Sequence, residues 1–409
     1  EPGDTIEVAP GTYTDSVIIA YANNLLIRGK PGSPKPIIKP GPGEDYSLVR
    51  ITGSSFITFT GFEVDGSDAG NNPGGILIVP RKTGTITTPC HHINVTYNKV
   101  HDVGGGGIGS NPDATYTIGN DYINITGNEI YNCLTTGKFR GSAVSLLDDE
   151  KFDDAGGYHS VIQNNKIYDN VNRNTDKDSD GNVNLFLHTD GNGIIIDTTG
   201  REGPKTLIQN NLVYRNGGRG IHVFNSSNVD VLNNTVAQNN LDPYLSLEGG
   251  GAGGGELTVV SASNVLFSNN VVQGNGEAPA FLASKVRGNE SLYFNSNLRF
   301  RNNTYTATYA LRTDDALIEA ETRTALDWST TIYHEPTWGN LFFNLVGGDF
   351  RLNLLATRSG LTAQQSQSAR NRGSSVFREF SSNDILGVAR KPAGGTSPGG
   401  GVDRGAYEQ

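Results

Sequence analysis

The side chains best suited to acid–base chemistry belong to one short repeated segment of the chain. Aligning Gly193 with Gly220 places Asp197 and His222 on the same outward face of two neighbouring strands. With less support, the same alignment adds Glu256 to this face one strand later. Neighbouring strands lie about 5 Å apart, so these carboxylate and imidazole groups can exchange protons with one bound substrate.

One reaction that suits these groups is β-elimination from a uronate-containing polysaccharide. A lyase must neutralise the uronate carboxylate, remove the C5 proton with a base and expel the 4-oxygen. We expect Arg219 or a calcium ion to neutralise the carboxylate, and His222 or Lys138 to act as the base. A lyase of this kind predicts a basic pH optimum and an unsaturated product.

Hydrolysis of a glycosidic bond is the alternative, and it needs two carboxylates, about 5–5.5 Å apart for retention or about 6.5–9.5 Å apart for inversion. The candidates are Asp190, Asp197 and Glu256. A non-catalytic surface or adhesive protein is the third possibility, and the lyase narrowly leads. The side chains expected to bind substrate are Arg140, His188, Phe224 and Tyr244.

The clearest local motif is an acidic loop, Asp176-Lys-Asp178-Ser-Asp180-Gly-Asn182-Val-Asn184. Asp at positions 1, 3 and 5 with Gly at position 6 forms the front half of a calcium-binding loop. Position 12, where a bidentate Glu is expected, holds Leu187. We therefore expect a calcium site that is weak or completed from elsewhere, with a solvated acidic loop as the alternative.

These residues must be positioned by a repeat, which is marked by the pattern Asn-x-(Ile/Val)-x. Its copies begin at Asn98, Asn128, Asn165, Asn211, Asn234 and Asn270, with a weaker copy at Asn303. Successive copies lie 30, 37, 46, 23, 36 and 33 residues apart. The shortest spacing is 23 residues, and the other copies exceed it by variable amounts. This pattern predicts a stacked solenoid with insertions at one recurring place.

The nearly minimal copy, residues 219–237, divides into three short strands separated by turns. It predicts an all-β, single-stranded parallel β-helix with an asparagine ladder at the second turn. Within the first and second strands, the predicted stacked pairs are Ile194 with Ile221, Ile196 with Val223, and Val161 with Leu207. The insertions follow the third strand, at residues 133–141, 170–191 and 239–255, and they wall the outward face of the first strands.

The two ends of the chain and its rungs resemble known proteins. Gly3-Asp-Thr-Ile-Glu-Val-Ala-Pro-Gly-Thr-Tyr13 resembles the start of many secreted right-handed parallel β-helix proteins, and the rungs resemble those of the pectate-lyase-like superfamily. Val402-Asp-Arg-Gly-Ala-Tyr-Glu408 is similar to the ending of a bacterial extracellular β-helix group. The resemblance implies a secreted right-handed β-helix over residues 1–305, with last rungs and a capping segment over 306–409.

The resemblance does not extend to the catalytic residues of the family 9 pectate lyases. Where their Asn-Ser-Asp-Asp-Gly-Trp-Asp motif is expected, this chain reads Asn216-Gly-Gly-Arg-Gly-Ile-His222. The formal net charge of −10 argues against nucleic acid as a partner, because phosphate binding needs basic excess. No apolar run reaches about 18 residues, so we expect no membrane span. We also expect a monomer whose partner is a polysaccharide substrate. Whether Cys90 and Cys133 are bonded is left open.

Overall fold

The computed structural model describes residues 2–43, 46–67, 74–112, 118–137, 140–245, 254–276, 278–284, 296–301 and 303–307, and five short strands beyond them. Three parallel sheets run through these residues, and each turn of the chain contributes one strand to each sheet. We name the sheets after the order of their strands within the repeat: first-strand, second-strand and third-strand sheet.

Strands of the three sheets are short, and many are rich in the Val, Ile and Thr that favour extended backbone. The first-strand sheet consists of Val17–Ala20, Ser47–Thr52, Gly74–Val79, Ile108–Ser110, Val144–Leu147, Ile194–Asp197, Ile221–Phe224, Leu257–Val260, Phe281–Ser284 and Leu311–Arg312. The second-strand sheet consists of Thr5–Val8, Asn23–Gly29, Ser55–Thr60, His91–Thr96, Asp121–Thr126, Ser160–Gln163, Thr206–Gln209, Ser227–Leu232, Ser263–Ser268, Ser296–Arg301 and Leu326–Asp327. The third-strand sheet consists of Thr12–Tyr13, Ile37–Ile38, Glu63–Asp65, Lys99–His101, Glu129–Tyr131, Lys166–Tyr168, Leu212–Tyr214, Thr235–Ala237, Val271–Gln273, Thr304–Thr306 and Ile332–Tyr333.

A few elements lie outside the three sheets. Arg81–Thr83 and Ile86–Thr88 form an antiparallel hairpin, and Phe342–Asn344 pairs antiparallel with Asp349–Leu352. One 3-10 helix, Leu185–His188, lies in the longest insertion. None of the helices in the described part of the chain is long and apolar enough to span a membrane.

This topology is a parallel β-helix, as the sequence predicts. The division at residue 305 stays a prediction, because the capping segment lies, apart from short strands, outside the described residues.

The predicted stacking register is confirmed at all three tested pairs. Ile194 pairs with Ile221 in the first-strand sheet, and both side chains are fully buried in the core. The register of Val161 with Leu207 is also present, but this pair lies on the outer face of the second-strand sheet, in a small separate apolar cluster. Because successive strand residues face opposite sides, the core position belongs to the next residue, Ile162.

Buried asparagines join consecutive rungs at the second turn. The backbone N–H of each donates to Oδ1 of the asparagine one rung further, at 2.9–3.0 Å, in the order Asn98, Asn128, Asn165, Asn211, Asn234, Asn270 and Asn303. The Nδ2 of Asn128 also donates to the backbone carbonyl of Val95 at 2.9 Å. These bonds satisfy polar groups that the turn would otherwise leave buried without partners.

A second column of buried polar side chains, which the sequence analysis missed, lies at the third turn. The N–H of Cys133 donates to Oδ1 of Asn170, and Asn170 continues through Asn216 to Asn239 in the same manner. The column ends at Glu256, whose two carboxylate oxygens accept from N and Nδ2 of Asn239 at 3.0 and 2.6 Å. Each of its asparagines follows a second-turn asparagine by five residues, which is the signal in the sequence.

Both cysteines are buried, free thiols, and they lie at different turns of the rung. Cys90 lies at the first turn, where its Sγ accepts from the N–H of Ser54, and Cys133 begins the third-turn column. Burial raises the pKa of the Cys90 thiol to about 11, because the thiolate would lose its hydration. Their positions in separate turns are incompatible with a disulfide between them.

We predict that Asn128→Ala lowers the free energy of unfolding by about 1–3 kcal/mol, because the N–H of Asn98 and the carbonyl of Val95 lose their partner. The measurement is chemical denaturation. The control is Asn124→Ala in the same rung, where the side chain is partly exposed and bonds to Asn94 on the outer face. Equal losses of unfolding free energy in the two variants would show that the buried asparagine column stabilises the fold no more than an exposed asparagine pair does.

Candidate functional site

The outward face of the first-strand sheet carries two columns of side chains in register. The first column places Ser145 beside Ile195, Ile195 beside His222, and His222 beside Thr258. The second places Asp197 beside Phe224. The alignment of Gly193 with Gly220 is therefore confirmed for both columns.

The prediction that Glu256 extends the outward column is wrong. Ile221 pairs with Leu257, so Glu256 aligns with Gly220, and Thr258 takes the position beside His222. The predicted alignment is two residues off, and Glu256 lies just before the strand Leu257–Val260 begins, in the third turn. Glu256 is accordingly buried inside the third turn, where it binds Asn239, and burial raises its pKa to about 8 against those hydrogen bonds.

Two partly exposed aspartates, Asp190 and Asp197, have unusual ionisation in this region. Burial raises the pKa of Asp197 to about 7, and the negative charges of Asp190 and Asp148 add to the shift. Burial also raises the pKa of Asp190, but the guanidinium groups of Arg219 and Arg140 oppose that shift. The two carboxyl groups are therefore coupled: the charge of Asp190 favours the protonated form of Asp197, while Asp190 itself has two cationic neighbours.

Arg219 lies beneath the insertion of residues 170–191 and is only 2% exposed. Its Nη1 donates to the backbone carbonyl of Thr189 at 2.8 Å. Flanking glycines allow this close packing, since a Cβ at Gly218 would lie 2.4 Å from the carbonyl oxygen of Asp190. The burial of Arg219 disagrees with its expected contact with a substrate carboxylate and favours a role in positioning Asp190.

Arg140 is the exposed cation of the cluster. Its guanidinium carbon lies 4.3 Å from the ring centroid of Phe186, at the rim of the same insertion. A cation held over an aromatic ring keeps its charge accessible to a bound anion. The expected substrate contact therefore suits Arg140 better than Arg219.

His222 and Thr258 are neighbours, and each has one buried side-chain atom without a hydrogen-bond partner among the described residues. Nδ1 of His222 and Oγ1 of Thr258 are both buried, and the residues are 3% and 0% exposed. Burial, with the nearby charge of Arg219, holds the pKa of His222 well below its usual value, so its imidazole is neutral. Thr258 is a site residue that the sequence analysis missed, because the register error placed Glu256 there.

His188 joins two insertions instead of facing a substrate. Its Nδ1 lies 2.7 Å from Oδ2 of Asp242, and its Nε2 lies 3.1 Å from the carbonyl oxygen of Asn174. Both side chains of the pair are fully buried. The expectation that His188 binds substrate is therefore not supported, since neither ring nitrogen is accessible.

The aromatic candidates differ in accessibility. Tyr244 is 39% exposed, with its ring edge-on to His188 at 5.2 Å between centroids. Phe224 is partly buried, lies 5.7 Å from the ring of His222 and packs on Val260. Tyr244 is thus the better candidate for contact with a sugar. Lys138 lies outside the described residues.

The acidic loop 176–184 forms a small hairpin closed by a bridge between Lys177 and Val183. Oδ1 of Asp178 accepts from the N–H groups of Asp180 and Asn182, each at 2.9 Å, and Oδ1 of Asn184 accepts from Phe186. In the described chain, three metal-ligating side chains lie within 4.8 Å of one another at Asp65, His101 and Asp102, and not in this loop. Calcium binding by Asp176, Asp178, Asp180, Asn182 and Asn184 stays a prediction.

Comparison with known proteins agrees with the architecture. Residues 178–315 match a family model described as a right-handed β-helix region. The A-module of the mannuronan C-5 epimerase AlgE6 from Azotobacter vinelandii is 18% identical over 81% of this chain and 85% of that module, with a TM-score of 0.50. The AlgE4 A-module from the same organism is 15% identical over 81% and 87%, with a TM-score of 0.49. No curated protein matches the chain. At these identities the likeness shows the fold, a right-handed parallel β-helix.

We predict that Glu256 makes the protein less stable at alkaline pH. Its folded pKa of about 8 exceeds the ordinary 4.5 of an unfolded glutamate. The contribution of Glu256 to the free energy of unfolding is therefore complete below about pH 4.5 and is lost as the pH rises through about 8. Glu256→Gln should flatten the decline in unfolding free energy between pH 5 and pH 9. It should also cost about 1–3 kcal/mol at pH 5, because an amide offers Asn239 only one acceptor.

Glu129→Gln is the matched control for this titration, since Glu129 binds Lys166 at the surface. A Glu256→Gln protein whose stability falls with pH as steeply as that of the wild type would contradict the assignment.

We predict that His188→Ala loosens residues 172–190, because it leaves the buried carboxylate of Asp242 without its imidazole partner, a change that typically costs about 3–5 kcal/mol. Hydrogen–deuterium exchange of backbone amides measures this locally. Exchange in the Asp121–Thr126 strand should stay unchanged, and Tyr244→Phe should leave both regions protected. Unchanged protection of residues 172–190 in His188→Ala would show that the bond between His188 and Asp242 does not hold the two insertions together.

Proposed function

We propose that this protein is a carbohydrate-active enzyme that hydrolyses a glycan in the groove over the first-strand sheet, with Asp197 as general acid and Asp190 as its ionised partner. The difference between the surroundings of the two carboxyl groups carries the proposal. Burial and the charge of Asp190 raise the pKa of Asp197 to about 7, whereas the guanidinium groups of Arg219 and Arg140 favour the ionised form of Asp190. Two carboxyl groups of different protonation are what glycoside hydrolysis requires.

The environment of each carboxyl group suits its proposed role. Asp190 lies next to two guanidinium groups, which stabilise its carboxylate as a base or nucleophile. Asp197 faces Phe224 in the adjacent strand, an apolar neighbour that disfavours ionisation. Both aspartates are partly exposed, whereas Arg219 and His222 are buried.

Side chains at the rim of the groove suit a sugar substrate. Arg140 presents an exposed guanidinium that can bind a carboxylate or hydroxyl groups, and Tyr244 presents a partly exposed ring that can pack on a pyranose face. We infer a polysaccharide substrate, a secreted location and a monomeric state from this groove and from the sequence. The carbohydrate-directed names of the Azotobacter modules agree with a glycan, although that likeness concerns the fold.

A lyase acting on a uronate-containing glycan is the second candidate, and the neutral imidazole of His222 favours it. A neutral imidazole can remove the C5 proton, Arg140 can neutralise the uronate, and Asp197 can protonate the departing 4-oxygen. Because His222 is already neutral at mildly acidic pH, this route no longer predicts the basic optimum that we expected from the sequence. The two candidates therefore differ in product more than in pH dependence.

The test is incubation with a panel of neutral and uronate-containing polysaccharides, with reducing ends and ultraviolet-absorbing unsaturated ends both measured. New reducing ends without unsaturation would support hydrolysis. Unsaturated ends in equal number would replace it with the lyase. Asp197→Asn and Asp190→Asn should each lower kcat by about 10²–10⁴-fold on the active substrate.

We predict that activity falls as the pH rises through about 7, since Asp197 must be protonated, and falls at acidic pH when Asp190 takes up a proton. Asp148→Asn is the informative control, because Asp148 is exposed and its charge raises the pKa of Asp197. It should move the alkaline limb of the kcat profile to lower pH without abolishing activity. An alkaline limb that Asp148→Asn leaves in place would count against Asp197 as the acid.

A further inference from the structure

The outer face of the third-strand sheet carries a group of metal-ligating side chains that the proposed reaction does not use. Asp65 and His101 are direct register partners in neighbouring strands, and Asp102 follows His101 at the turn. His101 is 6% exposed, while Asp65 and Asp102 remain partly accessible. The group therefore has a buried imidazole and an open side.

From these three residues we infer a binding site for a divalent transition-metal ion such as zinc, with Nδ1 of His101 and one carboxylate oxygen each of Asp65 and Asp102 as ligands. Nδ1 lies 2.6 Å from Oδ2 of Asp102 and 3.8 Å from Oδ1 of Asp65, and the ligand atoms all lie within 4.8 Å of one another. Ligands about 2.0–2.2 Å from a tetrahedral zinc ion are about 3.3–3.6 Å apart. Asp65 is near that distance from Nδ1, whereas Asp102 must move back from its hydrogen-bond distance when the ion binds.

The surroundings orient the imidazole for this role. Nε2 of His101 lies 2.9 Å from Oε1 of Glu63. In the tautomer with its proton on Nε2, Glu63 accepts that proton's hydrogen bond and Nδ1 presents its lone pair to an ion. The ring also stacks on Tyr131, with 4.9 Å between centroids and 4° between planes. A carboxylate that holds the second nitrogen of a ligating histidine is a common feature of zinc sites.

The carboxylates are fixed from outside the group as well. Oδ1 of Asp65 accepts from the N–H of Ser67 at 2.9 Å, and its Oδ2 lies 3.3 Å from Nζ of Lys39. Nδ2 of Asn132 donates to Oδ1 of Asp102, which leaves Oδ2 facing the imidazole. These contacts limit the rearrangement that binding requires.

The donor set selects the class of metal. One nitrogen and two oxygens suit zinc and its first-row neighbours, whereas calcium takes oxygen ligands alone. The charges allow a cation, because Glu63, Asp65 and Asp102 outnumber Lys39 and Lys99, the two ammonium groups that contact them, by one. A proton on His101 is the competing way to balance that charge, and the group is then an ion-pair network without a metal.

The test uses zinc in calorimetric titration and cobalt(II) in visible absorption, both on the purified, chelator-treated full chain. One ion per chain is expected, with a cobalt spectrum of nitrogen and oxygen ligation. Asp65→Asn and Asp102→Asn should remove stoichiometric binding, and Glu63→Ala should weaken it about 10–100-fold. Absence of saturable binding by the wild type, or equal binding by Asp65→Asn, would overturn the site in favour of the ion-pair network.

Two control variants test the location. Asp169 occupies the turn position equivalent to Asp102 two rungs later, where it binds Arg215, so Asp169→Asn should leave binding unchanged. A second place where a metal could bind is the pair His91 and His92, whose Nδ1 atoms lie 3.0 Å apart on the second-strand sheet. His92→Ala should also bind normally, and loss of the ion in that variant would contradict the proposal.

Discussion

The hydrogen bond from a turn asparagine to the backbone of the neighbouring rung is the interaction on which this structure depends. A β-helix bends its chain three times per rung, and each bend turns backbone N–H and C=O groups towards the interior. Asn128 shows the solution, since it satisfies the N–H of Asn98 and the carbonyl of Val95 with one side chain. Without such partners each buried group costs about 1–3 kcal/mol, which the short strands of a rung cannot readily offset.

This requirement also determines where the chain can vary. The second turn is occupied by a continuous column over seven rungs, so its length is fixed. The third turn holds a shorter column that starts at Cys133 and ends at Glu256, and the long insertions leave the helix beside it. The insertion of residues 170–191 covers Arg219, and its Phe186 packs on Arg140. The candidate site lies beside this insertion.

The sequence predicts the parts of the structure that repeat. Equivalent glycines and asparagines gave the register of Ile194 with Ile221 and of Asp197 with Phe224, because these residues occur in rungs of similar form. The prediction for Glu256 failed because residues 239–255 separate two rungs, and the alignment across that insertion was two residues off. A shift of two residues moves this carboxylate from the exposed strand face into the buried third turn.

Burial by the insertions is the other property that the sequence could not give. The sequence predicts that Arg219 and His188 are accessible, but both are buried under the insertions. Arg219 binds the backbone carbonyl of Thr189, and His188 binds that of Asn174. The Thr189 partner of Arg219 is 30 residues away in the chain, and the Asp242 partner of His188 is 54 residues away. Over such distances the spacing in the sequence carries no information. The ionisation of Asp197 is likewise a property of the assembled face, because its neighbours come from separate rungs.

The division of protons between Asp190 and Asp197 is the central claim, and a carboxyl titration tests it most directly. Carbon-13 NMR of chains labelled at the aspartate side-chain carbonyl would follow each ionisation without knowledge of the substrate. We expect one resonance to titrate near pH 7, to vanish in Asp197→Asn, and to move to lower pH in Asp190→Asn. A spectrum in which the Asp197 carboxyl titrates near the ordinary value of about 3.9 would contradict the account.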